Sequence, residues 1–88
     1  MSLEHLIFYQ AIDERFPLVD ADSLLALASD TSLGELVRLI SSSYPDVGEN
    51  EIFLELRRAL ADDGLVASDS RAPQLDSRLE TDLGFDGL

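Results

Sequence analysis

Two residues near the start of the sequence, Ser2 and His5, have side chains that could take part in chemistry. A serine hydroxyl at the beginning of a helix could carry a phosphate group, because free backbone N–H groups and the helix dipole stabilise an anion there. His5 could lie near that phosphate or act as a base. The plain alternatives are a helix-capping serine and an exposed histidine.

A nucleophilic enzyme is not expected from this sequence. His5 is the single histidine, and the chain contains no cysteine and no Gly-x-Ser-x-Gly sequence. Two pairs of aspartates, Asp20 with Asp22 and Asp62 with Asp63, could hold a divalent cation, but neither pair has the ligand pattern of a calcium loop. Helix caps and solvated helix ends explain both pairs, so we expect no metal ion.

The charge of the chain restricts its partners. The 88 residues include 18 acidic and six basic side chains, all six of them arginine, which gives a formal net charge of −12. Such a chain repels nucleic acid and anionic membrane surfaces, so we expect neither as a partner. A basic protein surface is the expected partner.

Length and composition indicate a single folded domain over residues 1–88 in the cytoplasm. Hydrophobic residues make up 45% of the chain, as in globular proteins rather than disordered ones. No apolar run approaches the roughly 20 residues that cross a bilayer, and the N-terminus lacks the pattern of a signal peptide. The absence of cysteine fits a reducing compartment.

Apolar residues recur at helical spacing along the chain, which predicts an all-α bundle. The first helix covers 3–16, and its expected buried stripe is Leu3, Leu6, Ile7, Ala11, Ile12 and Phe16. One helix face cannot bury the continuous run of Ile7, Phe8 and Tyr9, so we expect Tyr9 to be partly exposed.

Two further helices follow from caps and spacing. A short second helix covers 23–28, and the aspartate before it, Asp22, is its expected cap. The third helix begins after the cap residues 30–32, and Glu35 lies near its third position. Its expected core residues are Leu33, Leu36, Val37 and Ile40.

The second half of the chain contains one long helix and a tail. A polar connector at 41–50 leads to a fourth helix over 50–63, which Gly64 ends. Its expected core face is Ile52, Phe53, Leu56, Ala59 and Leu60. Residues 65–88 show neither a helical nor a strand period, but they are too apolar for a disordered tail. We therefore expect a long ordered C-terminal loop held by Leu75, Leu79, Leu83, Phe85 and Leu88.

The end of the sequence, Asp82-Leu83-Gly84-Phe85-Asp86, resembles the segment of acyl carrier proteins that leads to their Asp-Leu-Gly-x-Asp-Ser-Leu motif. In that family the motif serine begins the second helix and carries a phosphopantetheine arm. Here Gly87 stands at the position of that serine. This copy of the motif therefore cannot be modified, and a serine elsewhere has to supply the hydroxyl.

Residues 2–16 resemble the second carrier helix, which begins with Ser-Leu and ends in an acidic stretch and a phenylalanine. The third, fourth and first carrier helices are matched in turn by 20–28, 31–40 and 49–64. The resemblance implies a small acyl-carrier-like four-helix bundle in circularly permuted order, with three longer helices and one short. Helices two to four then occupy 1–40, a linker occupies 41–50, and helix one with its long loop occupies 51–88. Permutation is tolerated because domain termini often lie close together.

The resemblance implies a binding protein in which Ser2 is the attachment site of a phosphopantetheine-linked acyl group. It also implies an acidic surface for the basic face of a partner protein or a carrier-processing enzyme, formed by Glu4, Asp13, Glu14, Asp82 and Asp86. A non-carrier relative would keep this acidic surface without the arm. No cofactor other than phosphopantetheine is expected.

Other classes of function stay open. An acidic immunity-type or inhibitor protein would also bind a basic partner, and segment 30–45 loosely resembles helical bacteriocin immunity proteins. A steeply salt-dependent complex with a basic protein would favour that class. An assembly module would form a homodimer through residues 6–9 and the apolar tail, and a domain-swapped dimer would fit the permuted pattern equally well. The chain could also be a piece of a longer protein.

Overall fold

The computed structural model describes residues 2–66 and 72–85. Within them the chain forms four helices: α1 (Leu3–Arg15), α2 (Ala21–Leu25), α3 (Leu33–Ser43) and α4 (Glu49–Asp62). The described residues contain no strand, and a single antiparallel bridge pairs Ser32 with Arg78. The predicted all-α class, with three longer helices and one short, is therefore confirmed for this part of the chain.

Helix α1 buries only part of the predicted stripe, because its C-terminal members Ala11, Ile12 and Phe16 are buried and its first two leucines are not. Leu3 is 68% exposed and Leu6 is 50% exposed. The buried side chains are His5, Phe8, Tyr9, Ala11 and Ile12. The continuous apolar run offers the core several faces, and the face that is buried carries two large aromatic rings, which remove more apolar area from water than leucines do. The expectation that Tyr9 is partly exposed is also wrong, since its burial is nearly complete and raises the pKa of its hydroxyl.

Short polar side chains begin the next two helices. Asp20, rather than the predicted Asp22, caps α2, because the Asp20 carboxylate accepts a hydrogen bond of 3.1 Å from the Asp22 N–H. At α3 the Ser32 hydroxyl accepts from the Glu35 N–H, 3.3 Å away. Each cap supplies an acceptor to a first-turn N–H that has no partner within the helix.

Helices α3 and α4 pack their predicted faces into one core. The buried residues are Leu33, Leu36, Val37, Ile40, Ile52, Leu56, Ala59 and Leu60. Phe53 is only half-buried, and the Arg57 guanidinium lies over its ring at 5.8 Å. Helix α3 continues through the serines at the start of the predicted linker, so the connector between the two helices is 44–48 instead of 41–50.

Gly64 ends α4 in the way that its position predicts. Its φ of 66° is the left-handed conformation that favours glycine. Gly64 N–H then donates to the Ala61 carbonyl at 3.2 Å, and Leu65 N–H donates to the Leu60 carbonyl at 2.9 Å. These two hydrogen bonds satisfy carbonyls that the end of the helix leaves without partners.

Residues 74–85, here called the docked segment, run without helical structure along the loop that precedes α3. Three backbone hydrogen bonds hold the segment there, from Leu33 N–H to Ser77 O at 3.0 Å, from Gly34 N–H to Leu75 O at 2.8 Å, and from Leu79 N–H to Thr31 O at 3.0 Å. Leu79 and Phe85 are buried in the core. The docked segment therefore closes one side of the helical bundle.

Tyr44 joins the connector before α4 to the loop after α1. Its hydroxyl accepts a hydrogen bond of 2.9 Å from the Leu18 N–H, and its ring meets that of Phe16 edge-on at 5.4 Å. Replacing Tyr44 with phenylalanine keeps the ring contact and removes the acceptor. We expect Tyr44→Phe to lower the free energy of unfolding by about 1 kcal/mol, measured by urea denaturation. An unchanged midpoint would mean that water replaces this hydrogen bond without loss.

Candidate functional site

Ser2 and His5 form a hydrogen-bonded pair at the N-terminus of α1. The Ser2 Oγ lies 2.7 Å from His5 Nδ1, and the Ser2 backbone N–H donates to the same ring nitrogen at 3.1 Å. The His5 backbone N–H points to the Ser2 Oγ at 3.4 Å, which completes a reciprocal capping box. Ser2 is 4% exposed and His5 is fully buried. The expectation of an exposed histidine is therefore wrong.

The opposite side of the His5 ring determines its tautomer. Nε2 lies 2.6 Å from the backbone oxygen of Ser29. A carbonyl oxygen can only accept, so Nε2 carries the hydrogen, and in the neutral ring Nδ1 presents a lone pair. The Ser2 hydroxyl and the Ser2 backbone N–H then share this lone pair as donors. The Glu80 carboxylate lies near the same nitrogen, with Oε2 4.0 Å from Nε2.

The docked segment contacts α1 beside this pair. The Phe85 ring meets the His5 ring edge-on at 5.2 Å and the Phe8 ring edge-on at 5.8 Å. Phe85 belongs to the tail motif, whereas Ser2 begins the chain's first helix. The fold thus brings residues from opposite ends of the sequence to one end of α1.

Asp30 forms hydrogen bonds with the docked segment at a turn that includes Glu80. Its Oδ1 accepts from the backbone N–H groups of Glu80 and Thr81, both at 2.9 Å, and its Oδ2 accepts from the Thr81 hydroxyl at 2.6 Å. The Thr81 hydroxyl, together with these N–H groups, lowers the pKa of Asp30. The Arg78 guanidinium also donates to the Asp30 backbone oxygen at 3.2 Å. Sequence reasoning treated Asp30 as a helix-cap residue and missed this role.

The residues proposed for partner binding lie in separate places. Asp13 and Glu14 are exposed near the C-terminal end of α1, whereas Glu4 is half-buried in its first turn. The backbone N–H of Glu4 lowers the pKa of its carboxyl group. Asp82 is exposed, and its carboxylate accepts from the Arg78 N–H at 2.8 Å. Asp86 lies outside the described residues.

The exposed face of α1 has two different ends. Near Ser2 it presents Leu3 and Leu6, and further along it presents Gln10, Asp13 and Glu14. We call these five residues the outer face of α1. An apolar patch next to acidic side chains is a surface that a basic and partly apolar partner could cover.

An open groove of about 440 Å³ lies elsewhere, between α3 and α4, with Arg38, Phe53 and Leu75 among its lining residues. The residues that line it include neither Ser2 nor His5. Across 2–66 and 72–85, the structure places no three histidine or carboxylate side chains where they could share a metal ion. None of the helices in these two ranges is long and apolar enough to cross a bilayer.

Comparison with known proteins gives no relative from which a function could be transferred. No protein-family model, no curated protein and no solved structure matches the chain.

Proposed function

We propose that the chain is an acyl-carrier-like binding domain, with Ser2 as the attachment site for a phosphopantetheine arm and the outer face of α1 as the surface for a basic partner. One observation carries this proposal. The motif-bearing segment, which resembles the chain just before the carrier serine, packs through Phe85 against His5 and Phe8 on α1. Ser2 caps that same helix.

The order of the helices supports the same proposal. In a permuted carrier domain, the loop after helix one has to reach the N-terminus of helix two although the chain is not continuous there. The docked segment follows α4 and ends its described part at Phe85, beside the first turns of α1. The short α2 between α1 and α3 matches the short third helix of the resemblance.

Attachment at Ser2 requires a local opening. Ser2 is enclosed, with its hydroxyl directed at His5. Once the hydroxyl is uncovered, the first-turn N–H groups of α1 and the positive end of its dipole lie next to the phosphate. A transferase would therefore have to bind the N-terminal end of α1 in an opened state.

Charge supports a basic partner for the outer face of α1. Asp13 and Glu14 are exposed and add to a formal net charge of −12. The electrostatic field of these negative charges speeds the approach of a basic surface, and this effect weakens as the salt concentration rises. An inhibitor-type protein would use the same charges, so the arm on Ser2 is what distinguishes the carrier.

Intact mass spectrometry after incubation with coenzyme A and a broad-specificity phosphopantetheinyl transferase tests the attachment. We expect the wild-type chain to gain the mass of one arm and Ser2→Ala to gain none. Ser42→Ala, at an exposed serine of α3, is the matched control and should gain the arm as the wild type does. A wild-type chain that gains no mass with an active transferase would exclude the carrier form and leave only the partner-binding form.

A further inference from the structure

We propose that His5 is the general base for the Ser2 hydroxyl, so that the chain itself supplies the proton acceptor for a phosphoryl transfer at Ser2. For coenzyme A as the donor, this inference rests on the proposed function. The reactivity of the pair can also be tested with a simple phosphorylating reagent, without any transferase.

The distances fit a transfer of the Ser2 hydroxyl proton to His5 Nδ1. The Ser2 Oγ and His5 Nδ1 are 2.7 Å apart, within the range of a general base and the proton that it removes. The Ser29 carbonyl, 2.6 Å from Nε2, keeps the hydrogen on the far nitrogen and leaves the Nδ1 lone pair facing Ser2. An orienting acceptor behind a histidine that faces a serine is the arrangement that activates serine nucleophiles.

The surroundings of His5 hold the ring in place. The ring is fully buried and meets the edges of Tyr9 and Phe85 at 6.2 and 5.2 Å. Such packing restricts the ring to one orientation. When Nδ1 takes the proton, the imidazolium keeps its bond to Ser29 and lies near the Glu80 carboxylate, 4.0 Å from Nε2.

The transfer balances without a further reactant. The Ser2 Oγ attacks the phosphorus of coenzyme A that bears the pantetheine, and a new Oγ–P bond forms. The bond from that phosphorus to the bridging pyrophosphate oxygen breaks, and adenosine 3′,5′-bisphosphate leaves with the bonding electron pair. The serine proton passes to His5 Nδ1 and then to solvent.

A capping role alone explains the same contacts, so the test has to separate the two roles. His5 occupies the third helical position of α1, where glutamine forms a capping box with serine. His5→Gln therefore keeps a side chain that can cap Ser2 and removes the group that can take a proton. Glu4 is a second potential acceptor, since the Ser2 hydroxyl also contributes to the lowered pKa of Glu4. Glu4→Gln tests that alternative.

Diisopropyl fluorophosphate is the probe. Its reaction forms the Oγ–P bond and breaks the P–F bond, and fluoride leaves while Nδ1 takes the proton. Labelling is followed by intact mass and peptide mapping, and the exposed Ser42 serves as the internal reference. We expect Ser2 to react faster than Ser42 in the wild type. In His5→Gln the rate at Ser2 should fall about 100-fold. The wild-type reaction should also be slower in D₂O, and the His5→Gln reaction should lose this isotope effect.

Hydrogen exchange in the first turn of α1 corrects each rate for local opening, because Ser2 reacts only when it is uncovered. Ser2 labelling no faster than Ser42, or equal corrected rates in wild type and His5→Gln, would overturn the inference. Loss of labelling in Glu4→Gln alone would do the same. Should His5→Gln not fold, the effect of D₂O on Ser2 labelling in the wild type decides. A Ser2 rate that is equal in H₂O and D₂O overturns the inference.

The transferase assay separates this inference from the proposed function. Transfer to the wild type with an about 100-fold slower rate in His5→Gln supports both. Transfer at equal rates in the two proteins keeps the carrier function and overturns the role of His5. Fluorophosphate labelling that depends on His5, without transfer from coenzyme A, overturns the carrier function and keeps the Ser2–His5 pair.

Discussion

Phe85→Ala is expected to lower the free energy of unfolding by about 3–5 kcal/mol, the range for removing a buried aromatic ring. Phe85 is 2% exposed and meets both His5 and Phe8 edge-on. Small domains are stable by only about 5–15 kcal/mol, so this substitution removes a large share of the total. Urea denaturation followed by far-ultraviolet circular dichroism measures the change.

Phe53→Ala is the matched control, because Phe53 is a phenylalanine that is only half-buried. It contacts the Arg57 guanidinium at the surface of α4 instead of filling the core. We expect its cost to be less than half that of Phe85→Ala. Equal costs for the two substitutions would mean that the docked segment does not pack against α1 in solution.

Asp30→Asn is expected to release the turn at 80–81. Asparagine keeps one oxygen for the N–H groups of Glu80 and Thr81, but it places an NH₂ group where Oδ2 accepts from the Thr81 hydroxyl. It also lacks the negative charge that strengthens hydrogen bonds to a carboxylate. We expect the amide hydrogens of Glu80 and Thr81 to exchange about tenfold faster in the variant. Unchanged exchange rates would show that the carboxylate does not hold this turn.

The same carboxylate makes stability depend on pH in a definite direction. Its pKa is lowered in the folded state, chiefly by the Thr81 hydroxyl, so folding favours the ionised form. The resulting stabilisation is present above the ordinary aspartate value of about 3.9, and it is lost as the pH falls through the lower pKa of the folded state. Acid denaturation should show this component in the wild type and lack it in Asp30→Asn.

A matched control for the pH effect is Asp46→Asn, at an exposed aspartate of the connector. This variant should keep both the acid-dependent component and the slow exchange at Glu80 and Thr81. If Asp46→Asn reduced the acid-dependent component as much as Asp30→Asn does, the component would come from the total negative charge and not from the contacts of Asp30.

Local patterns predicted the helices whose apolar residues are well separated by polar ones. In α3 and α4 the spacing of leucine and isoleucine leaves one choice of buried face, and the structure confirms most of it. Helix α1 could not be oriented in this way, because the run 6–9 is apolar on several sides. The choice of face there depends on Phe85, which lies at the other end of the chain.

The sequence identified the residues of the candidate site but not their burial or their contacts. Ser2 was identified as a helix-cap residue, and it does cap α1. The burial of His5 depends on Ser29 and on the docked segment, and nothing within one helical turn of His5 indicates these contacts. The role of Asp30 was missed for the same reason, since its acceptors serve residues 50 and 51 positions away. An aspartate in a short cap sequence gives no local signal that it accepts hydrogen bonds from residues so far along the chain.

The docked segment also has a consequence for folding kinetics. Helices α3 and α4 are joined by the short connector 44–48 and can pair early, because a short loop closes at little entropic cost. The bonds from Asp30 to 78–81 span 48 to 51 residues, which raises the contact order above that of a simple helical hairpin. Docking is therefore expected late, after the transition state. Changes at Phe85 or Asp30 would then accelerate unfolding more than they slow folding, so the lifetime of the closed bundle depends on its last-formed contacts.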